Sequence, residues 1–446
     1  MSRLKFRHYA GELLNIALPI IMGNLGFILI GAGDVLIAGR HSTDTLAAIS
    51  IATAITNCIQ TFGIGLIASV SPLLSNFRGE KKSAKKYFYP TIRFSMLLGV
   101  IIMFAVLASI PLIDFLHFEE KLVPMIKEYM FITAFATFGG YLHAALKEFL
   151  QAFEIVLVPN LVTVFSVFLN IALNLILVFG LGPVPSMGAV GLAWASFIVR
   201  YFMGLFLLFY CFKIMKFHDY KDFDYYKNLM KIGLPISLAI IVEFIAFNSV
   251  AIIMGRVSGV YAAAQNLICT LTTISFMVPL AISNAIAVKV GFANGAGNIY
   301  ELKRYAFVGL VMSVGFMLCS SVVFSTFPDF LVGLFTEDKK LFEISVPILY
   351  ILGIFQVFDG LQISLAGIFK GIKQTGIVLL SNFTAYWLLF LPLGCYLAFK
   401  MNMNLKGFWL GLVIAAIALC TIMLAFLCKN LKNLKSEIAT ETVSRT

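Results

Sequence analysis

Charge is scarce in this 446-residue chain: only 12% of residues are Asp, Glu, Lys or Arg, whereas 60% are hydrophobic. A soluble domain sits nearer a quarter charged, so most of this surface does not face water. No polar stretch between apolar runs is long enough to hold a soluble domain, and the largest, roughly 215–227, joins the two halves. No Gly-x-x-x-x-Gly-Lys-Ser/Thr loop is present, which argues against ATP hydrolysis by this chain. Neither clustered aspartates for Mg²⁺ nor a His-Asp pair near a membrane surface is found, as an integral-membrane prenyl or acyl transferase would need, so no enzyme activity is expected. The seven cysteines fall in or beside apolar runs at no metal-ligand spacing and read as small buried hydrophobes. The N-terminus is basic, but its apolar run is too long for a signal peptide and no small-residue cleavage site follows.

What the chain has is long apolar runs. A membrane span needs about 20 such residues. On that measure about twelve spans are expected, at approximately 11–38, 46–74, 88–113, 123–150, 156–182, 188–214, 228–254, 260–290, 304–327, 342–369, 374–399 and 405–428. The expected fold is therefore all-α and integral to a membrane.

The net charge of +11 could suggest nucleic acid, but its distribution does not. With both termini inside, most of the 33 Lys and Arg fall on inner segments. The strongest are Arg3, Lys5 and Arg7, the loop from Arg78 to Lys86, Lys213 to Lys231, and the tail from Lys429 to Lys435. The basicity is a topology signal, placing both termini in the cytoplasm.

The opening stretch also returns halfway along the chain. Ala17-Leu18-Pro19-Ile20 recurs as Gly233-Leu234-Pro235-Ile236. At that same offset Ala38-Gly39-Arg40 matches Met254-Gly255-Arg256, Ala47-Ala48 matches Ala263-Ala264, and Gly79 matches Gly295. Six spans per half is an even number, so the halves are expected to be parallel repeats about an axis along the membrane normal. This gives two pseudo-symmetric six-helix lobes, 1–214 and 228–430, with a cytoplasmic linker at 215–227 and a cytoplasmic tail at 431–446. After the second span of each half, Gly79 and Gly295 are expected to form left-handed helix caps. Pro19 and Pro235 fall inside the first span of each half, where each removes one backbone hydrogen bond. They are candidate bending points, with a static kink as the plain alternative.

Once the loops and span ends are set aside, few charges remain in the membrane: Asp34, Glu243, Asp359 and Arg200. A carboxylate at mid-bilayer costs at least about 2.5–3.5 kcal/mol and is seldom kept without use. Polar stripes surround these acids. Gln356, Asp359 and Gln362 are spaced by three, and Ser166, Asn170 and Asn174 by four. Thr53, Thr56, Asn57 and Gln60 mark one face of the second span, and Gln265 and Asn266 lie near the start of the eighth. Lipid cannot satisfy such groups, so they turn toward a cavity or a neighbouring helix. A desolvated carboxylate can hold a proton near working pH; ionised, it attracts Na⁺ or an organic cation. Competition for one site would couple the movements of the two species. Arg200 could pair with an acid, line the pathway or snorkel. His143, late in the fourth span and just before Lys147, is read as interfacial.

At these residues the chain resembles the multidrug and toxic compound extrusion (MATE) family, in its NorM-like bacterial branch. The matching passages span roughly 10–430: Ile16-Ala17-Leu18-Pro19, Gly33-Asp34-Val35 with Ala38-Gly39, Leu46-Ala47-Ala48, Leu169-Asn170 with Leu173-Asn174, Gly233-Leu234-Pro235, Glu243, Phe358-Asp359-Gly360-Leu361-Gln362, Leu391-Pro392-Leu393-Gly394, and Lys406-Gly407-Phe408-Trp409-Leu410-Gly411. The resemblance implies a cation-coupled antiporter of two six-helix lobes that expels amphiphilic, often cationic compounds. It implies no cofactor, a proton or Na⁺ as coupling ion, a monomer in the inner (plasma) membrane, and small-molecule drugs and organic cations as partners beside the lipid bilayer.

By the same resemblance Glu243 and Asp359 take the cation site of the second lobe. Asp34, Asn170, Asn174 and Ser196 match the polar cluster of the first, and Pro19 matches a proline about which the first helix bends in some relatives. No structural metal is implied; Na⁺ would sit at Glu243 and Asp359 or at Asp34, Asn170 and Asn174. The chain departs from the pattern in three places. Phe355 stands where close relatives often have a tyrosine, keeping a cation–π face but no hydroxyl. Gly360 follows Asp359 where some relatives have a second acid, and Ser196 replaces the usual threonine. A lipid-linked oligosaccharide flippase, a distant relation, would want basic residues in its cavity, whereas here acids outnumber Arg200.

Overall fold

A computed structural model describes residues 3–180, 185–217 and 220–444, the side chains of 3, 4 and from 431 onward excepted. Twelve helices among the described residues are long and apolar enough to cross a membrane. They are α1 (Lys5–His41), α2 (Thr43–Gly79), α3 (Ala84–Phe115), α4 (Leu122–Ala152), α5 (Leu157–Phe179), α6 (Gly188–Ile214), α7 (Phe223–Gly255), α8 (Gly259–Gly295), α9 (Ile299–Thr326), α10 (Lys339–Gly371), α11 (Thr375–Lys400) and α12 (Asn404–Asn430). The expected number and order of spans hold. Most helices run past the expected apolar edges, because a helix does not stop where the hydrocarbon does. One difference has a local cause. The linker expected over 215–227 is shorter, since α7 begins at Phe223. There the Asp222 carboxylate accepts from the backbone N–H of Asp224 at 3.0 Å and Tyr225 at 3.3 Å, capping the helix early.

The repeat shows in the caps as well as the spans. Ser42 opens α2 by accepting from the Thr45 N–H at 3.0 Å. Ser258, at the repeat offset, opens α8 by accepting from the Val260 N–H at 3.3 Å. Lys81 and Gly297, another repeat pair, both adopt left-handed backbone, at φ 57° and 66°. That corrects the reading of Gly79 and Gly295, which are not the left-handed residues. Both are glycine because the ends of α2 and α8 meet there. A Cβ on Gly79 would stand 2.7 Å from the Ala296 nitrogen, and one on Gly295 would stand 2.8 Å from the Asn76 carbonyl carbon.

The chain forms two compact units. One holds 18–74 and 82–237; the other holds 1–17, 75–81 and 238–446. In the first unit α4 packs on α2, α3 and α6, and α5 packs on α6; the start of α7 belongs here, with Tyr225 stacked on Tyr87 at 4.6 Å. In the second unit α10 packs on α8, α9 and α12, and α11 packs on α12. The start of α1 belongs here, with Tyr9 edge-on to Tyr305 at 4.9 Å. Each pairing in one unit has its counterpart six helices away in the other. The divisions inside α1 and α7 fall between Ala17 and Leu18 and between Ser237 and Leu238, close to Pro19 and Pro235.

Candidate functional site

Within the second unit, a cavity of about 510 Å³ opens among α7, α8 and α10. Glu243 from α7 and Asp359 from α10 both line it, beside Phe244, Phe247, Phe276, Met277 and Phe355. Both acids therefore face the cavity, and neither is ion-paired to a base among the described residues. Lys370 is the one basic residue on the lining, and at 1.5 Å rise per residue it stands about 16 Å along α10 from Asp359. Asp359 is held in place by packing as well as chemistry. Gly360 lets Met317 of α9 approach closely, and Gly367 does the same for Ser283 of α8, so α10 is buried between two neighbours and Asp359 is 3% exposed.

Neutral donors hold the two acids. The Gln362 amide donates to Asp359 Oδ1 at 2.9 Å. The same amide reaches the Tyr386 hydroxyl at 3.1 Å, and that hydroxyl donates to Glu243 Oε1 at 3.2 Å. Asn382 Nδ2 lies 3.4 Å from Glu243 Oε2. Tyr386 and Asn382 were not singled out in the sequence. Both lie on α11, and Tyr386 sits in a segment wound with wide π-type turns, Thr384–Phe390. Such turns re-aim side chains and recur at functional sites.

Other expected residues divide between lining and support. Asn266 and Gln265 line the cavity, and Gln265 Oε1 accepts from Trp409 Nε1 at 3.0 Å. Phe355 lines it too, with its ring edge-on to Trp409 at 6.1 Å. Gln356 turns away and donates to Ser275 Oγ at 2.7 Å, a helix–helix contact between α10 and α8.

The first unit holds a second acidic site. Asn174 Nδ2 donates to Asp34 Oδ1 at 2.6 Å and to Asn170 Oδ1 at 3.1 Å. Ser196 Oγ stands 3.5 Å from Asp34 Oδ2. Asn170 and Asn174 of the stripe expected on α5 thus meet α1 and α6 around one carboxylate, whereas the buried Ser166 Oγ has no partner. Arg200 bonds Gln60 Oε1 at 3.1 Å, a neutral partner. His143 is a correction: it is 2% exposed and packs its ring 5.8 Å from Phe27, not at an interface. The short spacing to Lys147 hid this, because α4 tucks both residues against α1.

Residues 19–176 and 235–397 each match the MatE family. The chain belongs to the MatE family. The two matched stretches start on Pro19 and Pro235, so the internal repeat and the family pattern coincide. The chain is similar to the probable multidrug resistance protein NorM of Bacillus licheniformis, 25% identical over 439 residues, covering 96% of this chain and 97% of that protein. It is 29% identical over 434 residues to the probable NorM of Mesorhizobium japonicum, covering 91% and 92%. Its fold is similar to that of a solved outward-facing multidrug resistance MATE family transporter of the MOP superfamily, with a TM-score of 0.88 at 20% identity over 98% of this chain and 99% of the other. MATE proteins are transporters, so this multi-pass membrane protein is a transporter and not an enzyme.

Proposed function

We propose that the protein is a secondary active multidrug exporter that expels amphiphilic organic cations in exchange for a proton or Na⁺. The observation that carries this is the cavity bearing Glu243 and Asp359, two carboxylates whose hydrogen-bond partners are uncharged. Uncharged donors leave the negative charge available to mobile cations. The aromatic and Met lining supplies an adaptable apolar wall. The names of the NorM relatives support the multidrug substrate class.

In this reading Glu243 and Asp359 take the coupling cation and the substrate in turn. Asp34, Asn170, Asn174 and Ser196 form a second coupling site. Phe355, Gln265 and Asn266 support the first, as Gln356 and Gln362 do through α10. The halves 1–214 and 228–430, joined near 215–227 and followed by the tail 431–446, expose the site to one side of the plasma membrane at a time, with Pro19 and Pro235 as bending points. The working unit is a monomer with both termini in the cytoplasm, and no cofactor takes part.

The test is efflux of ethidium from vesicles at fixed membrane potential, with proton and sodium gradients imposed one at a time. Glu243→Gln and Asp359→Asn are expected to abolish gradient-driven efflux while the purified proteins still melt cooperatively. Wild-type transport by both variants would reject the proposal.

A further inference from the structure

The first unit contains a half-buried polar cluster that export of simple cations does not use. Lys147 lies near the C-terminal end of α4, with its ammonium 5.5 Å from the ring centroid of Phe27 on α1. No carboxylate lies within ion-pair distance of it among the described residues. The Glu148 carboxylate, next in sequence, acts on it electrostatically without forming an ion pair. His143, one turn earlier on the same face of α4, packs against the same ring and leaves Nε2 buried with no hydrogen-bond partner. Asn24, one turn before Phe27 on α1, leaves its buried Nδ2 without a partner as well. Two buried nitrogens without a partner, His143 Nε2 and Asn24 Nδ2, therefore lie within a turn of a lysine and an aromatic ring that touch each other. Asn160 Oδ1 is also unpartnered and is packed against Gly23.

Such an arrangement is costly inside a membrane. An ammonium there is kept where it has a partner or a use, and buried donors left unmade carry their full desolvation penalty. Snorkelling would explain a lysine alone. It does not explain an ammonium held over Phe27, nor the open nitrogens of His143 and Asn24 beside it. Phe27 is 43% exposed, so the cluster opens to a surface instead of being sealed.

We propose that Lys147, His143 and Asn24 around Phe27 form a binding site for the oxyanion group, carboxylate or phosphate, of a transported molecule. Donors without acceptors are what an oxyanion completes, and the Phe27 ring gives an apolar body a surface to lie on. The inference rests on the export reading and extends its substrate class from simple cations to molecules that also carry an acid.

The experiment uses a matched pair of dyes, tetramethylrhodamine, which bears a free carboxylate, and its methyl ester, which does not. Efflux of each is measured from vesicles of neutral phosphatidylcholine containing the wild type, Lys147→Met or Lys147→Arg. Lys147→Met is expected to slow efflux of the carboxylate dye about tenfold relative to the ester, and Lys147→Arg to restore it. Asn24→Leu is expected to shift the ratio in the same direction. An unchanged ratio, or equal loss of both dyes by a protein that still melts cooperatively, overturns the site.

Binding of each dye to purified protein, read by fluorescence anisotropy, separates this from the export reading. If the wild type pumps neither dye, export of this substrate class fails, while preferential and Lys147-dependent binding of the carboxylate dye still supports the site. Displacement of that dye by phosphatidylglycerol, with no transport preference, would assign the cluster to a lipid headgroup and overturn the substrate reading.

Discussion

The Tyr386 hydroxyl donates to Glu243 Oε1 at 3.2 Å while standing 3.1 Å from the Gln362 amide that holds Asp359. One hydroxyl has one proton to give. It can serve Glu243 or turn to Gln362 Oε1, 3.3 Å away, but not both. The two acids are thereby joined through a switchable donor, and a change of charge on one alters the bonding offered to the other.

Replacing Tyr386 by Phe removes that donor and keeps the ring. A hydrogen bond to a charged group contributes about 1.5–3 kcal/mol, and about 1.4 kcal/mol is a factor of ten. Tyr386→Phe should therefore weaken coupled efflux by roughly ten- to a hundredfold. The dependence of rate on the driving ion should also become shallower, because the acids then load independently. Efflux measured across a series of ion gradients checks both. An unchanged rate and slope would show that the hydroxyl only fills space.

The ends of α2 and α8 make a second relationship testable. Asn294 Nδ2 donates to Asn76 Oδ1 at 2.8 Å, and Asn76 Nδ2 donates to the Gly371 carbonyl at 2.8 Å. Gly79 and Gly295 let these helix ends come close enough for that. Gly295→Ala should force the ends apart, and overpacking of this kind costs about 1–3 kcal/mol. A lowered midpoint of thermal unfolding is expected, with Gly297→Ala as the contrast, since no atom lies within 4 Å of a Cβ at that site and only its left-handed φ is strained.

Much of this was legible in the sequence, and the reasons are physical. Lipid demands long apolar runs, so the twelve helices could be counted. It also penalises every retained charge, so Glu243, Asp359 and Asp34 stood out. Tyr386 did not, because a tyrosine in an apolar helix reads equally as core or interface, and its direction depends on wide turns that no residue pattern announces. His143 reads as interfacial beside Lys147, yet it is the one of the two that α1 buries. Gly79 and Gly295 were noticed for the right offset and given the wrong cause. A glycine required by a distant backbone looks the same in sequence as one required by its own φ.

The Asp34 cluster makes a sharper prediction than the acid itself. Asn174 bonds both Asp34 and Asn170, so its amide fixes the geometry of three groups. Asn174→Leu removes the shortest hydrogen bond to Asp34 and leaves the longer contact to Ser196. Efflux should fall by about tenfold or more, on the cost of losing a hydrogen bond to a charged group. Ser196→Ala, removing a contact at 3.5 Å, should cost much less. Equal losses would mean that Asp34 is not positioned by the α5 stripe. The two variants should be compared at matched expression and melting temperature.

Pro19 sits inside a helix that runs unbroken from Lys5 to His41, one residue beyond the point where α1 passes from one compact unit to the other. Lacking an N–H, it leaves the carbonyl of Asn15 without its helical partner, and its ring crowds that carbonyl. Proline in a helix interior is about 3 kcal/mol less favourable than alanine. Pro19→Ala should therefore raise the unfolding midpoint, whatever the proline does in transport. Transport separates the two readings. If α1 bends at this point during the cycle, restoring the hydrogen bond stiffens it, and efflux should slow by roughly tenfold even though the protein is more stable. If the proline is a static kink, efflux should keep its wild-type rate while stability rises. Pro235→Ala, at the matching place in α7, gives an independent reading of the same question, because its helix also changes unit within a turn of the proline.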